Sequence, residues 1–287
     1  MQQHLIGKTP DDFKVMAIVC VYNEADIIAP CLERLIGQGI DVYLVDNWSK
    51  DNTFGIASRF LKKGLVGIER FPPEGREAGG HDYRRLLVHV EKLTRKLKAD
   101  WFIRHDVDEY RESCWMHMNL RDAIYHVDQS GFNAIDYTVI EFKMTDDLFS
   151  PGEDFVDYFK YWDFGHHSGN FVQIRTWKNG EYIVDLANSG GHQAVFTGRK
   201  VFPLKFLLRH YPFRSEEQAI RKLFHERHDG IEGAEAKKRG WGVQYDLFKK
   251  RDTYFEDKNT LYYFDDSFYS DFCDERLYGT GIEKRPT

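Results

Sequence analysis

The chain has 287 residues, 42% of them hydrophobic and 15% aromatic, which is enough to bury one full core with a C-terminal elaboration. Its formal net charge is −6, so it lacks the basic excess that nucleic acid selects, and no nucleic-acid partner is expected. Cys20, Cys31, Cys114 and Cys273 form no C-x-x-C pair, which argues against a zinc site or a disulfide framework and suits a reducing cytosol.

The polar start, MQQHLIGKTPDDFK, does not read as a signal peptide, and the longest apolar run, Val15 to Tyr22, is far too short to span a bilayer. That run (VMAIVCVY) is β-branched and ends at Asn23, so it reads as a buried strand. Ala25 to Gln38 follows as a helix, with Ile28, Leu32, Leu35 and Ile36 on one face and Gly39 closing it. Asp41 to Asp46 is a second strand, Phe54 to Lys63 a second helix stopped by Gly64, and Val66 to Arg70 a third strand. A βαβαβ order implies a parallel sheet with helices on its faces.

Phe71 to Gly80 is a loop rich in Pro and Gly. His81 to Lys98 is amphipathic, with Tyr83, Leu86, Leu87, Val90, Leu93 and Leu97 at helical spacing. Asp100 to Asp106 is a fourth strand and Ala134 to Phe142 another. From about Phe155 aromatics cluster, and Phe171 to Ala187 predicts a hairpin turning at Asn179-Gly180. Lys205 to His210 is a last apolar strand. Ser215 then opens a helix, with Gln218 at the capping-box position, that runs to about Arg227 and ends at Asp229-Gly230. The aromatic, acidic tail beyond Trp241 has no assignment, and there is no internal repeat, heptad array or low-complexity linker.

The chemistry concentrates where strands end. The fourth strand runs into Asp106-Val107-Asp108-Glu109, the first ends in Val21-Tyr22-Asn23-Glu24, and the second in Val45-Asp46-Asn47-Trp48-Ser49-Lys50-Asp51-Asn52-Thr53. In open α/β sheets, ligands lie outside the carboxyl ends of strands, which places a nucleotide on this edge. Carboxylates at i and i+2, leaving a strand into a turn, can face one hard cation such as Mg²⁺ or Mn²⁺; they can also form a plain solvated turn.

Taken in order, VYNE, VDNWSKDNT and RHDVDEYR resemble the inverting family 2 glycosyltransferases of the GT-A fold. The resemblance runs from Val15 to about Phe142 and is thin beyond. It implies an α/β, Rossmann-like fold with a mostly parallel central sheet flanked by helices and an aromatic-rich α+β elaboration at the C-terminus. Residues 1–145 would be the nucleotide-sugar-binding half, and 146–287 the acceptor-side half of the same domain. Tyr22, Asn23 and Glu24 would line the nucleoside pocket. Asp46 would contact the base and Asp51 would support the loop. Asp106 would face the ribose or the metal, and Asp108 would hold Mn²⁺ or Mg²⁺. A helix N-terminus and Arg84 could face the donor diphosphate, although Arg84 and Arg85 also suit a solvated face.

The stretch around His210-Tyr211-Pro212-Phe213-Arg214-Ser215 resembles an "HY-x-x-RS-x-E-Q" segment of a bacterial subgroup, which makes His210 a third candidate metal ligand, with His192, after Gly190-Gly191, the second candidate for such a late histidine. His166-His167 has no partner at metal spacing. The family's late Glu-Asp pair, whose Asp removes the acceptor proton, has no clear counterpart, so Asp163, Glu181, Asp185 and His192 stand as candidate bases.

The expected activity is inverting transfer of a sugar from a nucleotide-sugar donor to a glycan or lipid-linked acceptor, in the service of cell-envelope polysaccharide. Tyr161, Trp162, Trp177 and Trp241 are candidates to stack against the acceptor, the alternative being that they are core residues. A cytosolic location is expected. Contact with the inner membrane face through Arg199, Lys200, Lys205 and Arg209 stays open beside a plain solvated face. The alternatives are three. A nucleotidyltransferase of similar fold would need a basic Gly-rich loop where VYNEAD stands. A helical metal-dependent phosphohydrolase would not place His105-Asp106 at a strand end. A non-catalytic nucleotide- or sugar-binding module is the third.

Overall fold

The computed structural model describes residues 8–75, 83–115, 117–164, 171–226, 251 and 253–269. The first strand, β1 (Val15–Val21), is buried along its length except at half-buried Cys20, as a strand covered on both faces must be. It sits between β2 (Asp41–Asp46) and β4 (Trp101–Asp106), and β3 (Leu65–Arg70) flanks β2, all four parallel. Helices α1 (Ile28–Gly37), α2 (Thr53–Ser58) and α3 (Tyr83–Thr94) make the crossovers. α1 buries Ile28, Leu32 and Leu35, the stripe expected from its spacing.

The register fixes the geometry of the edge. Val21 stands opposite Asp46, and Cys20 opposite Asp106. The ends of β1, β2 and β4 are therefore level, and the three polar segments leave the sheet side by side.

Immediately after Asp106 the chain changes sheets. β5 (Glu109–Glu112) belongs to a second, five-stranded sheet of order β11-β8-β7-β10-β5. Val107 and Asp108 are the crossing between the two. A second crossing splits the strand expected over 134–142: β6 (Ala134–Ile135) ends the first sheet and β7 (Tyr137–Phe142) enters the second, after α4 (Leu120–Gln129). Asp136 makes the break, its carboxylate accepting the backbone N–H of Tyr137 at 2.8 Å and of Gln173 at 2.7 Å.

The hairpin expected over 171–187 does not form. β9 (Thr176–Lys178) instead pairs antiparallel with both β4 and β6, using both of its edges. Trp177 is almost wholly buried beside Phe102, and the Asn179 N–H donates to Asp100 O at 2.7 Å. A strand taken up on both sides has no edge left for a hairpin partner. Both sheets thus draw strands from either side of residue 145.

In the second sheet, α5 (Phe155–Tyr158) precedes β8 (Tyr161–Phe164), β10 (Phe206–His210) lies between β7 and β5, and β11 (Tyr262–Tyr263) closes the far edge. Ser215 caps α6 (Glu216–Ile220) by accepting the Gln218 N–H at 3.1 Å, and Gln218 Oε1 accepts the N–H of Arg214 rather than of the cap itself. The helix then widens into a π-type turn over Arg221–Glu226. Its expected end at 227–230, His166-His167, Trp241 and Cys273 lie outside the described residues. Among the described residues, no helix is long and apolar enough to cross a membrane.

Gly64 turns the chain from α2 into β3 with φ +108°, and a Cβ there would lie 2.5 Å from Ile36 Cγ1. Gly64→Ala should therefore lower unfolding free energy by about 1–3 kcal/mol, combining backbone strain with a clash. Urea denaturation reads this directly, and unchanged stability would show that the turn can relax.

Candidate active site

Three polar loops meet at the level strand ends. On the first, Asn23 takes a left-handed conformation, φ 55°, and its N–H donates to Ser49 Oγ at 2.9 Å. Its side chain is engaged at both ends: Oδ1 accepts the Lys50 N–H at 2.7 Å, and Nδ2 donates to Glu226 at 2.6 Å. Glu24 N–H donates to Thr53 Oγ1 at 2.8 Å, and Asp51 accepts the N–H groups of Ala25 at 3.1 Å and Thr53 at 2.9 Å. The first two loops are thereby stitched together, with Asp51 bracing the turn into α2 and cross-linking it to the first loop. Asp46 is fully buried below them, accepting the Ser49 N–H at 3.1 Å and facing Arg70 Nε at 3.3 Å. Burial raises its pKa, against those stabilising partners.

Strand alternation sets the third loop. Arg104 and Asp106 share one face of β4 and are paired, while His105 points to the other, where Cys31 and Arg111 meet it. Asp106 Oδ2 also takes Arg175 Nη1 at 2.8 Å, from the loop before β9, and the same nitrogen reaches Glu109 Oε1 at 2.8 Å. Glu109 is held on its other side by Arg111 Nη2 at 2.7 Å. Arg104 Nη2 donates to the Tyr83 hydroxyl at 2.8 Å. Burial pushes the Asp106 carboxyl up, but Arg104 and Arg175 outweigh it and hold the group below the usual carboxylate range.

Asp108 is buried at the crossing, with its carbonyl accepting the Tyr211 N–H at 2.8 Å. Its Oδ2 takes Lys222 Nζ at 2.6 Å and lies 3.8 Å from His210 Nε2. His210 Nδ1 in turn lies 3.7 Å from Glu141. Burial opposes charge on His210, yet the two carboxylates prevail and push its pKa up to about 10. At these separations their pull is that of ion pairs, beyond ordinary hydrogen-bond length. Burial likewise opposes charge on Asp108, and Lys222 and His210 overcome it, leaving its pKa well below normal. Nearby, Arg214 is wholly buried between Glu24 and Asp26. Burial raises Glu24 to about 7 even so.

Asp108 and His210 fit a divalent ion by chemistry and spacing: a carboxylate and an imidazole 3.8 Å apart can both touch one ion at bond lengths of about 2.1 Å. Lys222 shares that carboxylate, and Asp106 is already paired with two guanidinium groups. Among the described residues no group of three or more His, Cys, Asp and Glu side chains is arranged as a metal centre, so the rest of such a shell would come from substrate oxygens and water.

The other expected residues scatter. Arg84 is exposed on α3. Glu181 is exposed beyond β9, and since Lys178 pairs with Trp101, it lies past the opposite end of β4 from Asp106 and cannot serve as the base. Asp185 is committed to its own turn, accepting the Asn188 N–H at 2.9 Å. Asp163 lies on β8 in a cross-strand row: Glu109, His210, Glu141 and Asp163 stand opposite one another in register, so they share one face. Trp162 and Trp177 are 6% and 1% exposed, so they are core residues and offer no stacking face to an acceptor. Arg209 is buried on Glu112 at 2.7 Å and cannot meet lipid, and Lys205 is paired with Asp136. Arg104, Arg111, Arg175, Arg214, Lys222 and Glu141 were not singled out from sequence. Arg104 and Arg111 bound the RHDVDEYR motif and Arg214 lies in the His210–Ser215 segment, whereas Arg175, Lys222 and Glu141 carry no local signal.

Residues 16–80 match the sequence profile of the family described as Glycosyl transferase family 2. The match covers β1 to the loop after β3 and stops short of Asp106, and so is narrower than the stretch to Phe142 expected from the motifs. No curated protein matches the chain. Among solved structures, S. aureus TarS is similar at 20% identity over 49% of this chain and 23% of that one, with a TM-score of 0.34. Glucosyl-3-phosphoglycerate synthase from Mycobacterium tuberculosis, in complex with Mn²⁺, UDP and glucosyl-3-phosphoglycerate, is similar at 13% identity over 45% and 44%, with a TM-score of 0.30. The S. cerevisiae mannosyltransferase Ktr4p is similar at 11% over 46% and 39%, with a TM-score of 0.27. The chain spans less than half the length of each, and likeness this partial does not bear on chemistry. The expected α/β architecture, a mixed and mostly parallel central sheet flanked by helices, is the one the chain adopts.

Arg175 is the tie between the Asp106 turn and the loop before β9. Arg175→Met should cost about 3 kcal/mol of stability, the low end for breaking a buried ion pair, because Asp106 and Glu109 each keep a second guanidinium. Chemical denaturation of the two proteins tests this, and a loss below about 1 kcal/mol, the value of an exposed pair, would mean that the site is wet.

Proposed function

We propose that this protein is a glycosyltransferase that moves a sugar, with inversion, from a nucleotide-sugar donor to a hydroxyl of a glycan or lipid-linked acceptor. The observation that carries this reading is the level edge: Val21 opposite Asp46 and Cys20 opposite Asp106 put VYNE, VDNWSKDNT and DVD side by side on a segment that begins within the family 2 match. Such an edge is where an α/β sheet takes a nucleotide.

Asp46, fully buried and pinned by Ser49 and Arg70, shapes the floor under the loops that would take the base, and Tyr22, Asn23 and Glu24 lie on the first of them. Asp51 keeps that loop in shape. A divalent ion, when bound at Asp108 and His210 with Asp106 beside it, supplies the charge that stabilises a leaving diphosphate. Arg104 and Arg175 orient Asp106, and Lys222 holds Asp108 ionised.

Inversion needs one in-line displacement and one base for the acceptor proton. Asp163 is our choice. It is half-buried on the face that carries His210 and Glu141, one strand beyond Glu141, whereas Glu181 lies past the opposite end of β4 and Asp185 lies in a turn away from that face. Against a nucleotidyltransferase, the loop after β1 presents Glu24 and Asp26 clasping Arg214, with none of the Gly-rich cradle a triphosphate needs.

The test is transfer from a panel of UDP-, GDP- and dTDP-sugars, with the product anomer read by NMR. The opposite anomeric configuration to the donor is expected, and retention rejects the mechanism. Asp163→Asn should lower kcat by about 10²–10⁴-fold with little change in thermal midpoint. Full turnover by that variant would remove Asp163 as the base.

A further inference from the structure

His192 follows a turn built for close approach. Gly190 and Gly191 have φ 64° and 78°, and a Cβ on Gly191 would lie 2.9 Å from Leu87 and 3.0 Å from the Tyr83 hydroxyl. The turn therefore presses against α3 and carries His192 in beside Arg175.

The contacts of the ring fix its chemistry. Nδ1 lies 3.0 Å from Arg175 Nη2 and 3.0 Å from Gln173 Nε2. A guanidinium can only donate, so Nδ1 must be the unprotonated, accepting nitrogen. The neutral ring then carries its proton on Nε2, which has no hydrogen-bond partner among the described residues. The ring is half-buried, and the other end of the Arg175 fork reaches Asp106 at 2.8 Å. His192 is thus one side chain removed from the Asp-Val-Asp turn.

A general base needs a lone pair aimed at the acceptor. The lone pair of His192 is spent on Arg175. Burial and the charges of Arg175 and Arg104 also hold its pKa down to about 3, so the ring stays neutral at working pH. His192, one of the candidate bases, has the wrong nitrogen free for that role.

We infer that His192 is a fixed hydrogen-bond donor whose Nε2–H binds an anionic oxygen of the donor's diphosphate. The inference rests on the nucleotide-sugar reading above. The charged groups nearest the ring are the guanidinium groups of Arg175 and Arg104, whose charge Asp106 offsets only in part, and this suits a phosphate oxygen better than a sugar hydroxyl.

Two measurements separate this inference from the reading that it rests on. The first is ¹⁵N NMR of the ring in the full-length protein, which should show Nε2 protonated and Nδ1 bare. A protonated Nδ1 overturns the assignment whatever the protein binds. The second is calorimetric titration of UDP, GDP and dTDP into wild type, His192→Ala and His192→Gln, the last keeping an N–H near the position of Nε2. Binding should weaken about tenfold or more in the alanine variant, the value of one hydrogen bond to a charged group, and largely return in the glutamine variant. Equal affinity in the alanine variant, or no recovery with glutamine, ends the proposal. If wild type binds no nucleotide, the functional reading fails and takes the phosphate contact with it, while the tautomer stands on its own result. Thermal melts check folding, and His192→Phe, which fills the same space, replaces any alanine variant that does not fold.

Discussion

Crowding half-buried Asp106 and buried Asp108 and Glu109 into four residues, where the chain crosses between two sheets, is the constraint on which the rest of the molecule turns. Unpaired charges in such a place cost several kcal/mol each, so every one must be answered. The answers come from near and far: Arg104 from β4 itself and Arg111 from β5, but Arg175 from the loop before β9 and Lys222 from the turn after α6. Meeting that demand brings the loop before β9 and the segment over 215–226 to the edge. The same segment reaches back to the first loop through Arg221 and Glu226, both on Asn23. One electrostatic requirement thus holds the loops at the ends of β1, β2 and β4 together.

A site so nearly balanced has consequences for ligands. Asp106 and Asp108 are held ionised by resident cations, and His210 carries charge between Asp108 and Glu141. A divalent ion arriving with a diphosphate would have to displace the proton on His210 as well as the share of Asp108 that Lys222 holds. Preorganised charge of this kind needs little rearrangement at the moment of reaction, which is where electrostatic catalysis gains most.

Local pattern carried the first half of this account. The β-branched run of β1, the stripe on α1 and the polar endings of β1, β2 and β4 are all properties of neighbouring residues, and the parallel order followed from them. Pairings between distant residues carried the rest. Lys222 lies 114 residues from Asp108, and Arg175 lies 69 from Asp106, and no spacing rule reaches so far. Trp177 shows how local pattern misleads: strong turn residues at Asn179-Gly180 pointed to a hairpin, but the edge of β4 and the room beside Phe102 were a better partner for the strand. Trp162 fits either a stacking surface or the core from sequence, and it is core, because burial is decided by what packs on top. His192 is subtler: its type suggested a base, and only the side on which Arg175 approaches determines which nitrogen holds the proton.

The central claim is that the acidic crossing after β4 holds a nucleotide diphosphate through a cation bound at Asp108. Calorimetric titration of the nucleotide diphosphate, with and without Mn²⁺, into wild type and Asp108→Asn measures this most directly. The account predicts affinity at least about tenfold higher with Mn²⁺ in wild type, equivalent to about 1.4 kcal/mol, and no such gain in the variant. Equal affinity with and without the ion in wild type, or an undiminished gain in Asp108→Asn, would contradict it.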